Sequence, residues 1–375
     1  MAKVTGKYRQ ISVDGKQAFA FIPHSLPPAS LLFALDSKVK DTLLPEIARL
    51  SGQAALLVQT GIEIDALNEI LVYREAVLSS QIAGVRTTLR DVLEFSACGI
   101  SQNEKQVRQV LNYAEAYSFA RGQIIRVGAF HIDMPTIEEI HRRLMQNEAD
   151  SGQEFYTGQG EIQLGPPPAD AASESLGALQ RWLNGPDDLP PVLRAALVHG
   201  QFCLLRPLPG ANDRVGRLLT FILLEHFKLG ESILLCPSAS FKRRREEYSQ
   251  RLEAIRTHGD WEGWTTFYIE SLRDALQECI STVPRIFAGV NAHRELLMDH
   301  AELTIPTMRL FSKLLQHPYV TLALALKLLD ATKPTASRAI DLLRRLEILR
   351  EITGRQRDRV YMYQSYVDKL AKETE

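Results

Sequence analysis

Cysteine is scarce in this 375-residue chain: Cys98, Cys203, Cys236 and Cys279 lie far apart and mostly inside apolar stretches. They have neither metal-ligand spacing nor the pattern of a disulfide framework, so buried thiols in a reducing compartment are expected. Net charge is also lacking. Lysine and arginine number 44 against 45 acids, a balance of −1, so no global field draws the molecule to nucleic acid or a membrane and any basic surface is local. No run of roughly 18 uncharged apolar residues spans a bilayer, and the opening MAKVTGKYRQ lacks the apolar centre of a secretory signal. A cytoplasmic protein without a membrane partner is expected. What is present is ordinary for a globular chain of two or three domains, with 45% hydrophobic and 24% charged residues.

Residues 1–30 read as extended and turn-rich, with Ile11 and Val13 among polar neighbours, Asp14-Gly15 at a turn, and Pro23, Pro27 and Pro28 opposing a helix. From Leu31 to Phe95 apolar residues recur at three- and four-residue spacings, which predicts packed helices. Another helix is expected around Val107 to Val127, and Thr136 followed by Glu139 has the pattern of a capping box. The run from Ser151 to Pro168 is non-helical. The central stretch, Pro191 to Thr220, is an apolar helix, a Pro/Gly/Asn/Asp-rich break from Pro207 to Asp213, and a second apolar helix carrying Arg214 and Arg217. A helix that restarts beside two arginines gathers backbone N–H groups and fixed positive charge, the elements of an anion site.

Farther on, the basic run Lys242 to Arg245 reads as a solvated helix face. A charged connector over Ala288 to Thr304 precedes three short helices, within 308–315, 320–328 and 334–346, and a hairpin around Gly354. That is the plan of a winged helix. Thr335, Ser337 and Arg338 would start the recognition helix, with Arg355, Arg357 and Arg359 on the wing, placed for DNA phosphates. Asp341, Glu347 and Asp358 dilute this basic face, which leaves protein contact as the alternative.

The break itself, Arg206-Pro207-Leu208-Pro209-Gly210-Ala211-Asn212-Asp213-Arg214-Val215-Gly216-Arg217, resembles the signature of the Fic (Fic/Doc) family, His-Pro-Phe-x-Asp/Glu-Gly-Asn-Gly-Arg-x-x-Arg. His199, Phe202, Leu218 and Leu219 are similar to the family as well. The resemblance implies a mainly α, helical Fic fold with a short β-hairpin flap between Phe155 and Pro168, plus a C-terminal winged-helix domain. It also implies three parts: an N-terminal helical domain over 1–105, a Fic core over 106–285, and a connector with the winged helix over 286–375. Ser79-Ser80-Gln81-Ile82-Ala83-Gly84 resembles the inhibitory helix, whose glutamate pairs with the second motif arginine; here Ala83 holds that position. Tyr248 matches the first tyrosine of a nucleotide-side Arg-x-x-Tyr-Tyr helix, and Ser249 replaces the second.

Family members mostly transfer AMP from ATP to hydroxyl side chains, and this chain departs from what that route needs. Arg206 stands at the base position, and a guanidinium with pKa above about 12 accepts no proton. Gly210 stands where a carboxylate would hold Mg²⁺. Ala211 and Asp213 replace two cradle glycines, which restricts positive φ, although Leu208 to Ala211 fits a type II turn. The surviving Arg206, Gly210, Asn212, Arg214 and Arg217, with Tyr248, are the candidate nucleotide or phosphate site, since arginine binds phosphate without metal. The alternative is that Arg206 pairs with Asp213 or another carboxylate and plugs the site.

The expected function is a catalytically degenerate regulator that binds a nucleotide such as ATP, or DNA, and requires no cofactor. The enzyme alternative is an adenylyl- or other phosphate-group transferase using Mg²⁺, with His199 as the nearest candidate base. The third reading is an interaction scaffold with a collapsed pocket. The family's layout implies a homodimer, and no residue pattern names a protein target.

Overall fold

The structure is a computed structural model, which describes residues 5–13, 16–28, 38–59, 66–124, 131–146, 156–157, 163–186, 188–229 and 236–375. The expected Asp14-Gly15 turn, the flap flank Phe155 and the flap centre lie outside these residues.

Strands β1 (Gly6–Val13) and β2 (Lys16–Pro23) pair antiparallel in unbroken register. Along β2, Ala18 and Ala20 are buried while Gln17 and Phe19 face outward, the period-two pattern of a half-covered sheet. The flap is present as β3 (Tyr156–Thr157) and β4 (Gln163–Leu164), and Leu164 pairs in parallel with Phe19. One four-stranded sheet results, in the order β1-β2-β4-β3.

The helical body follows the apolar periodicity. A π-type turn over Lys38–Leu43 leads into α1 (Leu44–Gln59), then α2 (Asn68–Ile82), α3 (Leu89–Cys98), α4 (Glu104–Ile124) and α5 (Met134–Leu144). Next come α6 (Ala169–Asn184), α7 (Pro191–Leu205), α8 (Asn212–His226), α9 (Pro237–Arg243), α10 (Arg245–His258) and α11 (Trp261–Met298). Helix α5 corrects an expectation. Its cap is Asp133, whose carboxylate accepts from Thr136 N at 2.9 Å, so Thr136 lies inside the first turn and Glu139 pairs with Arg142 and Arg143. Aspartate is as good a cap as threonine, and it stands before Pro135, which suits the first turn.

Helix α2 is enclosed by α3, α4, α8 and α9, with both apolar residues and Arg74, Glu75, Ser79 and Ser80 buried along it. Helix α7 meets α8 at Gly216, where a Cβ would come within 2.9 Å of Cys203 Sγ. It meets α11 at Gly200, where a Cβ would come within 2.9 Å of the Trp264 ring nitrogen. Trp264 Nε1 donates to Ala196 O at 2.8 Å. Small residues at these two points let the helices that carry the signature pack closely.

Helix α11 runs 38 residues with Pro284 inside it, about 57 Å at the usual helical rise. Both expected domain boundaries, 105/106 and 285/286, fall within helices, α4 and α11. The C-terminal unit contains α12 (Ile305–Lys313), β5 (Tyr319–Thr321), α13 (Leu322–Leu329), α14 (Lys333–Arg345), β6 (Arg350–Glu351), β7 (Val360–Met362) and α15 (Gln364–Leu370). Val320, expected in a helix, lies in a strand. Backbone pairing with Tyr361 places it there, giving a three-stranded sheet in the order β5-β7-β6. The strand β5 packs on α3 and α15 packs on α11, so one hydrophobic core runs through both the helical body and this unit. Among the described residues no helix is long and apolar enough to cross a membrane.

Candidate functional site

The break between α7 and α8 is built by side chains. Arg206 ends α7 in the left-handed region, φ 46° and ψ 59°, with its N–H on Phe202 O at 3.1 Å. For a residue with a Cβ this conformation costs about 1–2 kcal/mol. Asn212 Oδ1 accepts from Leu208 N at 3.0 Å, and Asn212 Nδ2 donates to Leu208 O at 2.8 Å. This reciprocal pair closes the loop over residues 209–211. The expected type II turn is therefore corrected: its third residue, Gly210, does not take positive φ, and Ala211 does, at 56°. Asp213 lies in the first turn of α8, where its negative charge suits the helix N-terminus.

The cations of the signature are engaged within the protein. Arg206 Nη1 lies 3.0 Å from Asp213 Oδ1. Arg214 is buried, with Nη2 3.2 Å from Met145 Sδ. Arg217 is 1% exposed, and it donates from Nε to Ser79 Oγ at 2.8 Å and from Nη2 to Ser79 O at 2.9 Å. Its Nη1 makes no hydrogen bond of ordinary geometry among the described residues. Ala83 caps the end of α2 and is exposed, with Gly84 beyond it at φ 93°, and Ser80 is fully buried. Helix α2 thus still holds the second motif arginine, through Ser79 in place of a glutamate.

One turn before Ser79 lies Glu75, which sequence reasoning missed. It is 0% exposed and accepts from Ser238 N at 3.3 Å and from the Ser238 hydroxyl. Burial pushes its carboxyl up to about 7, against the pull of the Ser238 hydrogen bonds and of the Arg217 and Arg74 charges. The available signal was its position four residues before Ser79, on the same helix face.

His199 is enclosed rather than poised. Its Nδ1 meets the Thr220 hydroxyl, its Nε2 lies 2.8 Å from Tyr248 OH, and its ring stacks on Trp264. Burial, with the Arg217 charge, pushes it down to about 3. A histidine with both nitrogens engaged and so low a proton affinity is a poor general base near neutrality. Tyr248 is 3% exposed and packs between His199 and Phe241. The donor set does not fit Mg²⁺ either. Gly210 has no side-chain oxygen, Asp213 pairs with Arg206, and no cluster of three or more potential metal ligands occurs among the described residues.

The C-terminal cations differ. Arg338 on α14 and Arg355, Arg357 and Arg359 between β6 and β7 are exposed. Thr335 and Ser337 are half-buried, and the Thr335 hydroxyl lies 3.0 Å from that of Thr332. Arg359 Nε donates to Arg355 O at 2.7 Å, which bends the loop. The basic run 242–245 is largely neutralised. Lys242 reaches Glu373 O, Arg243 pairs with Glu278 and Glu373, and Arg244 pairs with Glu247 and Glu270.

Two family models match the chain: the Fic/DOC family N-terminal model over residues 45–121 and the Fic/DOC family model over residues 131–224. Among solved structures, a Fic family protein from Desulfovibrio desulfuricans G20 is 18% identical, with 88% of this chain and 97% of that one covered and a TM-score of 0.56. Fic-1 from C. elegans is also 18% identical, with 68% and 73% covered and a TM-score of 0.51. At such identities the likeness concerns the fold.

Proposed function

The chain belongs to the Fic/DOC family, and from that premise we propose that it is a catalytically degenerate member acting as a regulator, with its transfer site closed and its C-terminal unit reading DNA. Members of this family are typically AMP or phosphate transferases. The observation that carries the proposal is the Arg206–Asp213 ion pair. It puts a permanent cation where the base would stand and engages Asp213, the carboxylate three residues after Gly210, where the metal ligand is missing. Arg217, locked on Ser79, offers a phosphate little while α2 keeps its place. The C-terminal unit is read as a winged helix, with α14 entering the major groove and Arg355, Arg357 and Arg359 meeting the phosphates. The exposure of these arginines supports that reading, because phosphate contact needs cations that solvent can reach.

Two assays test it. Purified protein incubated with α-labelled ATP and Mg²⁺, alone and with a cell lysate, is expected to transfer no label; transfer that survives in the wild type and vanishes in His199→Ala would instead establish the transferase. DNA duplex titrated across a salt series is expected to bind with a steep salt dependence that Arg338→Ala reduces, and a salt-insensitive or absent shift leaves the unit as a protein-contact module.

A further inference from the structure

Residues 372–375, which follow α15, reach back over the body and hold α2 and α3. Gln81 Nε2, near the end of α2, donates to Thr374 O at 2.7 Å and to Thr87 O at 2.7 Å. The first N–H of α3, from Leu89, donates to Thr374 Oγ1 at 3.3 Å, and that hydroxyl donates to Ala371 O at 2.7 Å. Thr374 is 0% exposed. Glu373 accepts from Arg243 at 2.5 Å, and its carbonyl accepts from Lys242. Arg74 of α2 bonds Glu278 at 2.6 Å and reaches Lys372 O at 3.5 Å and Glu373 at 3.8 Å. Arg90 of α3 pairs with Asp368 of α15 and with Glu375.

Two of these partners, Arg74 and Gln81, belong to the helix that locks Arg217, and the others lie on α3 and α9. Arg74 and Gln81, seven residues apart, share the α2 face that meets the tail, whereas Glu75 and Ser79 share the adjoining face toward Arg217 and Ser238. One short helix therefore carries the grip of the tail and the lock on the signature arginine. The tail continues directly from the C-terminal unit through α15. The tail itself adds only Thr374 to the buried residues, and its polar contacts can exchange with water once it lifts, because Gln81, Arg90, Lys242 and Arg243 are all at least partly exposed.

We propose that residues 372–375 form a releasable strap by which the C-terminal unit controls α2, and through α2 the access of a phosphate ligand to Arg217. This rests on the closed-site reading above and adds what opens the site. The strap is held by charge and hydrogen bonds, with Thr374 as its one buried anchor, which suits a contact that forms and releases more than a fixed hydrophobic seam does.

The test uses the full chain, a variant ending at Ala371, and Thr374→Val, which keeps the shape of the anchor and removes its hydroxyl. Hydrogen exchange without any ligand is read first. The truncated chain is expected to exchange amides of 76–90 at least tenfold faster while those of α13 and α14 keep their protection; Thr374→Val is expected to change the same amides in the same direction. Unchanged exchange over 76–90 in both variants overturns the strap, whatever the fate of the transfer assay. Calorimetric titration with ATP without metal is read second. At least fivefold tighter binding by the truncated chain, abolished by adding Arg217→Ala, supports control of the site, and equal binding by full and truncated chains overturns it. Should the truncated chain fail to fold, Thr374→Val decides both readings alone.

Discussion

Two groups of arginines divide this molecule. Around the α7–α8 break, Arg206, Arg214 and Arg217 are turned inward, toward Asp213, Met145 and Ser79. On α14 and the adjoining loop, Arg338, Arg355 and Arg357 face solvent. The residue type is the same, but the surroundings decide what it can do. A guanidinium already paired has little left for a phosphate, whereas an exposed one keeps its donors within reach of a ligand. A family signature is therefore no guide to ligand binding until the internal partners of its cations are known.

The largest expected effect that sharpens this contrast is the pH dependence of stability at the closed site. Glu75 titrates near 7 in the fold against an ordinary 4.5. Between those values the native state keeps a proton that the unfolded chain has released, so this contribution falls as pH rises and is gone above about 7. His199, pushed down to about 3 from 6.5, has the opposite sign. The unfolded chain takes the extra proton, and the contribution falls as pH drops from 6.5 toward 3. Each group is worth about 3–5 kcal/mol at its limits. In urea melts, wild type is expected to lose about 3 kcal/mol relative to Glu75→Gln between pH 4.5 and 7.5, and to lose stability relative to His199→Gln as pH falls below about 6. A pH-independent difference in either pair breaks the claim that these groups are desolvated.

Next in size, Arg217→Ala is expected to cost about 3 kcal/mol in denaturant melts, since it removes two buried charged hydrogen bonds and one of the two cations whose charge reaches Glu75. Arg338→Ala is the counterpart on the open side. Its stability is expected to stay within about 0.5 kcal/mol of wild type, while DNA affinity drops about tenfold and the salt slope shrinks by about 1. If the two substitutions exchanged these outcomes, the division between inward and outward arginines would be wrong. The smallest effect belongs to Asp213→Asn. Its carboxylate is half exposed, so the loss is expected to stay under about 1 kcal/mol.

The local features of this fold were legible in sequence. Apolar spacing marked the helices, and Pro207 to Asp213 marked the break between α7 and α8. The three helices and hairpin of the C-terminal unit were also expected, although Val320 reads as helical until its partner Tyr361 is known. An Arg206–Asp213 pair was visible as an alternative because the two residues are seven apart and on either side of one turn. Two other contacts were not visible, because each joins segments far apart in sequence: the seating of Glu75 on Ser238 and the hold of Thr374 on Leu89. The resemblance set the 79–84 segment against Arg217 but pointed to position 83, whereas Ser79 makes the contact. The turn type failed for a related reason. Pro209-Gly210 suits a type II turn locally, and the Asn212 amide, bonding back to Leu208, selects another conformation.

The most direct test of the closed site is a crystal structure grown with saturating ATP and Mg²⁺. Arg206 is expected to remain on Asp213 and Arg217 on Ser79, with no phosphate oxygen within hydrogen-bond distance of either guanidinium while residues 372–375 remain docked. A triphosphate bound to Arg217 with α2 and the tail in their present places would contradict it.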